Sequence, residues 1–290
     1  MSKIKVAVFG CGAIAERRHI PEYAANENVE LVAFADPIVE RAEKMAETYG
    51  GKAYSSYEEL LASEEVDAVS VCTPNYLHAP MAIAAANAGK HVLVEKPMAV
   101  TTEEGEQMIE AAKKNGVYLM VGHNQRLMPP HIKAKEILDS GKLGKVLNFR
   151  TSFGHPGPEG WSVDGAESWF FRKEEAIMGA MGDLGVHKSD FIRYLLDDEV
   201  SEVAGFISTL HKENTKVDDN ATCLLRMKSG AIVGAMATNE KQVPSGVIDA
   251  FVESIVTQTP PSISGEEGLR SLQVILAAFE SEKTGQIVKL

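Results

Sequence analysis

Cysteine is scarce in this chain of 290 residues: Cys11, Cys72 and Cys223 are the only three, far apart and without C-x-x-C spacing. That argues against a disulfide framework and a structural zinc site, and it fits a reducing compartment. No apolar run approaches the roughly 20 residues that a membrane-spanning helix needs. Cationic residues are outnumbered, 29 Lys and Arg against 41 Asp and Glu, and the formal charge of -12 carries no basic stripe. Neither a nucleic acid nor an anionic membrane therefore has electrostatic support as a partner. Internal repeats and low-complexity tracts are also missing. What is left is an ordinary soluble composition, 44% hydrophobic, long enough for one large or two medium domains, with a small molecule as the expected ligand.

The amino terminus looks at first like a signal peptide, because Lys3 and Lys5 precede an apolar run that ends in Ala13-Ile14-Ala15. Two glycines break that run, and they complete a different motif. Strand Ile4–Phe9 leads straight into Gly10-Cys11-Gly12-Ala13-Ile14-Ala15, and a second strand, Leu31–Ala35, ends in Asp36. Gly10 permits the tight turn, Gly12 lets backbone approach a pyrophosphate, and Ala15 keeps the helix close to the sheet. The phosphates would rest on free N–H groups around Ala13 and Ile14 at the helix start. Asp36 is placed to accept from both adenosine-ribose hydroxyls and to repel a 2′-phosphate, which favours NAD over NADP. The segment is thus read as mature structure and the protein as cytoplasmic.

Strand and helix signals alternate over residues 1–122, as a parallel doubly wound sheet requires. Further strands are predicted at Ala53–Tyr54, Ala68–Cys72, His91–Val94 and Tyr118–Val121, with helices at Ala13–Asn26, Ile38–Tyr49, Tyr57–Ala62, Leu77–Ala88 and Glu103–Asn115. Thr101-Thr102-Glu103-Glu104 offers an N-terminal cap, and Gly89 and Gly116 offer C-terminal ones. A non-periodic crossing, His123 to Pro130, then leads into residues 123–290. There a helix is expected at His131–Ser140, and strand-like runs at Lys145–Phe153, Val200–His211, Ala221–Lys228 and Ala231–Thr238. Further helices are expected at Asp183–Leu196, Val247–Thr257 and Gly265–Thr284. The expectation is an α/β protein: a dinucleotide-binding domain followed by an α+β substrate domain with an open, largely antiparallel sheet.

The fourth strand ends in Cys72-Thr73-Pro74-Asn75 with His78 close behind, and the fifth ends in Glu95-Lys96-Pro97. Both lie at the carboxyl edge of the sheet, where open α/β folds bind ligands. A lysine between a buried strand and a proline has its amine held near the cofactor. Beside a cationic nicotinamide its neutral form would be favoured, moving its pKa toward the working range. Later, Gly182-Asp183-Leu184-Gly185-Val186-His187 places a carboxylate four residues before a histidine, with Asp190 following. Sharing a helical face, they could be an acid/base pair in which the carboxylate fixes the imidazole tautomer, half of a metal site, or a capping pair. His123, His131 and His155 are read as solvated or packing histidines, with cleft access open to His123. Cys11 implies no thiol chemistry.

Taken in order, G-x-G-x-x-A, Thr73-Pro74-Asn75 with His78, Glu95-Lys96-Pro97, and Gly182-Asp183-Leu184-Gly185-Val186-His187 resemble the glucose–fructose oxidoreductase, inositol dehydrogenase and rhizopine-catabolism family. The match spans nearly the whole chain. It implies a Rossmann domain and NAD(P)-dependent chemistry at a sugar or cyclitol hydroxyl. It also implies that Lys96 contacts substrate and nicotinamide, that Asp183 and His187 are the substrate-binding and acid/base pair, and that Asn75 and Glu95 border the nicotinamide ribose. Trp169 and Arg172 resemble a W-x-x-R segment that lines the sugar pocket. Two alternatives within or beside this family are an NAD-dependent glycoside hydrolase and a non-catalytic sensor of NAD or sugar.

The chain also departs from the family. Ala237-Thr238-Asn239-Glu240 passes within a few residues to the helix at Ile248–Thr257, so the second sheet is expected to be shortened. Because that sheet often packs on another subunit in the family, a homo-oligomer, dimer or tetramer, is expected only on that basis. Met178-Gly179-Ala180-Met181 stands where relatives carry more glycine, so the approach to the substrate is expected to be narrower or more apolar.

Overall fold

The computed structural model describes residues 2–213, 215–239 and 245–290. Among them the strands form two sheets. β1 (Ile4–Phe9), β2 (Val29–Ala35), β3 (Lys52–Tyr54), β4 (Ala68–Val71), β5 (His91–Val94) and β6 (Leu119–Val121) are all parallel, in the order β3-β2-β1-β4-β5-β6. Apart from the edge strand β3, these strands are largely buried on both faces, which is why they read as continuous apolar runs; every residue of β4 is buried. The strand order reverses between β1 and β4, and a crevice opens there at the carboxyl ends. β2 begins two residues earlier than its apolar run suggests, because Val29 and Glu30 pair with Ile4 and Lys5.

The helix after β1 is not regular. From Ala15 to His19 it widens into a π-turn, with the Ile20 N–H donating to Ala15 O, and it continues as an α-helix over Ile20–Ala25. Pro21, which has no N–H to give, follows at this seam. A second π-turn, Met181–Gly185, precedes the α-helix Val186–Leu196, so the expected helix at Asp183 starts in wide-turn geometry. In the first domain, Thr101 caps helix Thr102–Asn115 as expected, its hydroxyl accepting from the Glu104 N–H at 3.1 Å. Helix Pro129–Asp139 begins two residues before the expected position, because Pro129 and Pro130 occupy its first turn, where no N–H is needed.

The second sheet has the order β11-β8-β9-β10-β7, built from β7 (Asn148–Gly154), β8 (Val200–Ser208), β9 (Asn220–Met227), β10 (Ile232–Asn239) and β11 (Val288–Lys289). All its pairings are antiparallel except β10 with β7. β8 stops at Ser208 rather than His211 because the Asp219 carboxylate draws in the N–H groups of Leu210, His211 and Lys212. One face packs on helices Val186–Leu196 and Gly265–Thr284 and buries Val203, Leu225, Met227 and Val233. The other is open, with Phe206 74% and Leu224 56% exposed. Helix Gly265–Thr284 also returns to the first sheet: a Cβ on Gly268 would touch Val121, and Ser264 bridges to Met120. The crossing expected at Ala237–Glu240 runs into residues 240–244, which lie outside the described ones. No helix among the described residues is long and apolar enough to cross a membrane.

Candidate active site

The turn after β1 is shaped by what lies against it. Gly10 has φ +84°, and a Cβ there would stand 2.7 Å from Cys72 O, so no other residue fits. A Cβ on Gly12 would instead point into open space, over the backbone that begins the next helix. Asp36 is oriented by two backbone donors, Cys11 N–H to Oδ2 at 2.8 Å and Ile38 N–H to Oδ1 at 2.9 Å. Its other lone pairs are left for a ligand. These residues form one end of a cavity of about 930 Å³, lined also by Ala13, Ile14, Thr73, Pro74, Asn75 and His78. The Thr73 hydroxyl is buried on that wall without a partner among the described residues. An open approach over Gly12, an oriented carboxylate and an orphaned hydroxyl in one cleft fit a bound dinucleotide. Burial pushes the Cys11 thiol up, and no thiolate forms there.

At the other end of the same cavity stand Lys96, Asp183 and His187. Lys96 Nζ donates to Asp183 Oδ1 at 2.6 Å and to Asp183 O at 3.0 Å. An ammonium has three donors, so one remains for a ligand. Asp183 Oδ2 lies 3.1 Å from His155 Nε2, and His155 Nδ1 accepts from the Gly157 N–H at 3.1 Å. The second bond places the His155 proton on Nε2, so His155 donates to Asp183. Burial alone would raise the Asp183 carboxyl; Lys96 and His155 overcome it and hold Asp183 well below the usual carboxylate range. His187 is 3% exposed and its Nδ1 has no partner among the described residues. Burial, then the charge of Lys96, lower its pKa well below the usual imidazole value, so the ring is neutral near pH 7.

This corrects two expectations. Asp183 does not fix the tautomer of His187; its two oxygens are taken by Lys96 and His155. His155 is not a solvated or merely packing residue. No sequence spacing signalled it, since it reaches Asp183 from a loop 28 positions away. His123 lies beneath the cleft, 1% exposed, with its ring edge-on to His187. Trp169 and Arg172 line the cavity, but the Arg172 guanidinium is engaged by Glu175 and by Glu167 O. Asn75 Nδ2 donates to Ala176 O at 2.8 Å, and the His78 ring nitrogens lie 2.7 and 2.8 Å from Pro97 O and Thr73 O. Both of these side chains tie together the loops that carry the site.

Behind Lys96, Glu95 is 9% exposed and accepts from the Lys96 N–H at 3.1 Å; its other oxygen meets His19 Nε2 at 2.9 Å. The His19 Nδ1 faces the Ser70 hydroxyl at 2.7 Å. Burial opposes charge on both partners. Cys72 and Glu95 nonetheless raise His19, and His19 lowers Glu95, so the pair is ionic. His19→Ala would strand a buried carboxylate, and a stability loss of about 3 kcal/mol is expected in denaturant unfolding. A loss below about 1 kcal/mol would show that Glu95 finds another partner.

Residues 4–123 match the model of an oxidoreductase family with an NAD-binding Rossmann fold, and residues 131–268 match the GFO/IDH/MocA C-terminal domain. The chain belongs to the GFO/IDH/MocA oxidoreductase family. Levoglucosan dehydrogenase of Pseudarthrobacter phenanthrenivorans is 33% identical over 282 positions, covering 88% of this chain and 70% of that protein. Myo-inositol 2-dehydrogenase of Thermotoga maritima is 32% identical over 340 positions, covering 99% of this chain and 98% of the relative. That alignment is longer than the chain itself, in keeping with a shortened family member. The structure of the WlbA dehydrogenase from Bordetella pertussis, in complex with NADH and UDP-GlcNAcA, superposes with a TM-score of 0.88 at 25% identity, covering 99% of each chain. A GFO/IDH/MocA member with this Rossmann cleft is an NAD-binding oxidoreductase.

Proposed function

We propose that this protein transfers a hydride between NAD and a secondary hydroxyl or ketone carbon of a sugar, sugar derivative or cyclitol. The observation that carries the reading is the Lys96–Asp183 pair beside neutral His187, at the far end of the cavity whose near end is the Gly12 and Asp36 cradle. The bound nicotinamide supplies the hydride acceptor. His187 takes the hydroxyl proton as the adjacent carbon loses hydride. The third N–H of Lys96 polarises the oxygen as it becomes a carbonyl, and Asp183, steadied by His155, holds the amine in place. Trp169 and Arg172 are positioned to border the sugar. The levoglucosan and inositol dehydrogenases among its relatives support this substrate class; neither glycoside hydrolysis nor a non-catalytic sensor draws support from them.

Three buried thiols suit a reducing cytoplasm, and the exposed apolar side chains on the second sheet suit a homo-oligomer. Assaying a panel of polyols and aldoses with NAD and NADP, while following nicotinamide absorbance, tests the reading. NADH should accumulate with at least one sugar or cyclitol. Glycoside cleavage without net NADH, or NAD binding without turnover across the panel, would overturn it.

A further inference from the structure

Arg41 stands five residues beyond Asp36, in the first turn of helix Val39–Tyr49, and both side chains line the adenosine end of the cavity. A guanidinium at that place is suited to a 2′-phosphate, whose oxygens it can meet with two parallel donors. It is already occupied. Arg41 Nη2 is ion-paired with Asp164 Oδ1, from the loop that follows β7, 123 positions away. The pair is partly withdrawn from solvent, the two side chains being 26% and 32% exposed.

Asp164 is held rather than loose. Its N–H faces Ser162 Oγ at 3.4 Å, and its carbonyl accepts from the Glu167 N–H at 3.0 Å. The loop is fastened at the substrate end by His155 on Asp183, along its length by Lys212 Nζ on Pro156 O at 2.9 Å, and at its exit by Thr215 Oγ1 on Phe171 O at 2.8 Å. Between those ends Trp161 meets Phe170 edge-on, and Phe170 stacks on Trp169. The loop therefore delivers a fixed carboxylate from the His155 end of the cavity to the end that holds Asp36 and Arg41.

We propose that Asp164 is a specificity-determining residue for the dinucleotide: by holding Arg41 it withholds the cation that a 2′-phosphate would need. The inference rests on the dinucleotide site described above. Beside Asp36, a 2′-phosphate would meet a second carboxylate, Asp164, and an Arg41 whose charge that carboxylate already neutralises. The uncharged ribose hydroxyls of NAD meet no such penalty. Selection against NADP is thus exerted by both halves of the chain, Asp36 from β2 and Asp164 from the loop after β7.

Calorimetric titration of NAD and NADP into the full chain and into Asp164→Ala, Arg41→Ala and the double variant tests this. Asp164→Ala is expected to tighten NADP binding by about tenfold, the scale of one charge-assisted hydrogen bond, with NAD affinity within about twofold. Adding Arg41→Ala should abolish the gain. An unchanged NADP affinity in Asp164→Ala, an equal gain for NAD, or a gain that survives loss of Arg41 would each overturn the proposal. Failure of the unaltered chain to bind NAD would overturn the site assignment itself, and with it this proposal.

Discussion

Lys96→Ala is expected to lower kcat about a thousandfold while the NAD dissociation constant stays within about threefold. Two losses combine. The substrate oxygen forfeits the donor that polarises it, and His155 remains as the one side-chain partner of Asp183 among the described residues. Burial already works to raise the Asp183 carboxyl, and without the lysine that influence is far less opposed. Dinucleotide affinity should change little, because Gly12, Thr73 and Asp36 lie at the other end of the cavity and keep their contacts. Steady-state kinetics with the best substrate from the panel, paired with NAD calorimetry, separates the two effects. Turnover within tenfold of the unaltered protein would remove Lys96 from the chemistry.

His187→Asn should cost a similar factor, about a hundredfold to ten-thousandfold, because the amide keeps much of the polarity but accepts no proton near neutrality. A pH profile adds a readout that a structural role would not move. The imidazole pKa is displaced downward from 6.5 by burial and by Lys96, so the proton-accepting form persists as pH falls through the range where a free histidine is lost. The sign follows: in the oxidative direction the acid limb of kcat/KM should lie below pH 6.5, and His187→Asn should abolish it. A limb at or above pH 6.5 that survives the substitution would assign the proton to another group.

Much of the first sheet was legible because its signals are local. A strand, a glycine turn, a helix and a terminal carboxylate lie within a few dozen residues, and Asp36 meets the Cys11 and Ile38 N–H groups of its own motif. The ends of β4 and β5 were legible for the same reason, since a doubly wound sheet places every carboxyl end at one edge. The π-turns were not legible, because a single wide turn leaves the apolar pattern almost unchanged. The pairing of Asp183 with His155 was hidden too, as was that of Asp164 with Arg41, because loops carry no periodicity from which their path can be read. β11 escaped because two residues form no pattern.

By itself, then, the sequence determined the fold class, the glycine turn with Asp36 that is proposed to cradle the dinucleotide, and the candidates Lys96, Asp183 and His187, since each depends on neighbours along the chain or on the edge common to all parallel strands. Tertiary structure alone decided which of them touch. Asp183 is held by Lys96 from one sheet and His155 from the loop after the other, and no spacing encodes a contact made by folding two sheets face to cleft. The same packing neutralises His187, because loss of water around a ring, not the residues beside it in sequence, is what lowers its proton affinity.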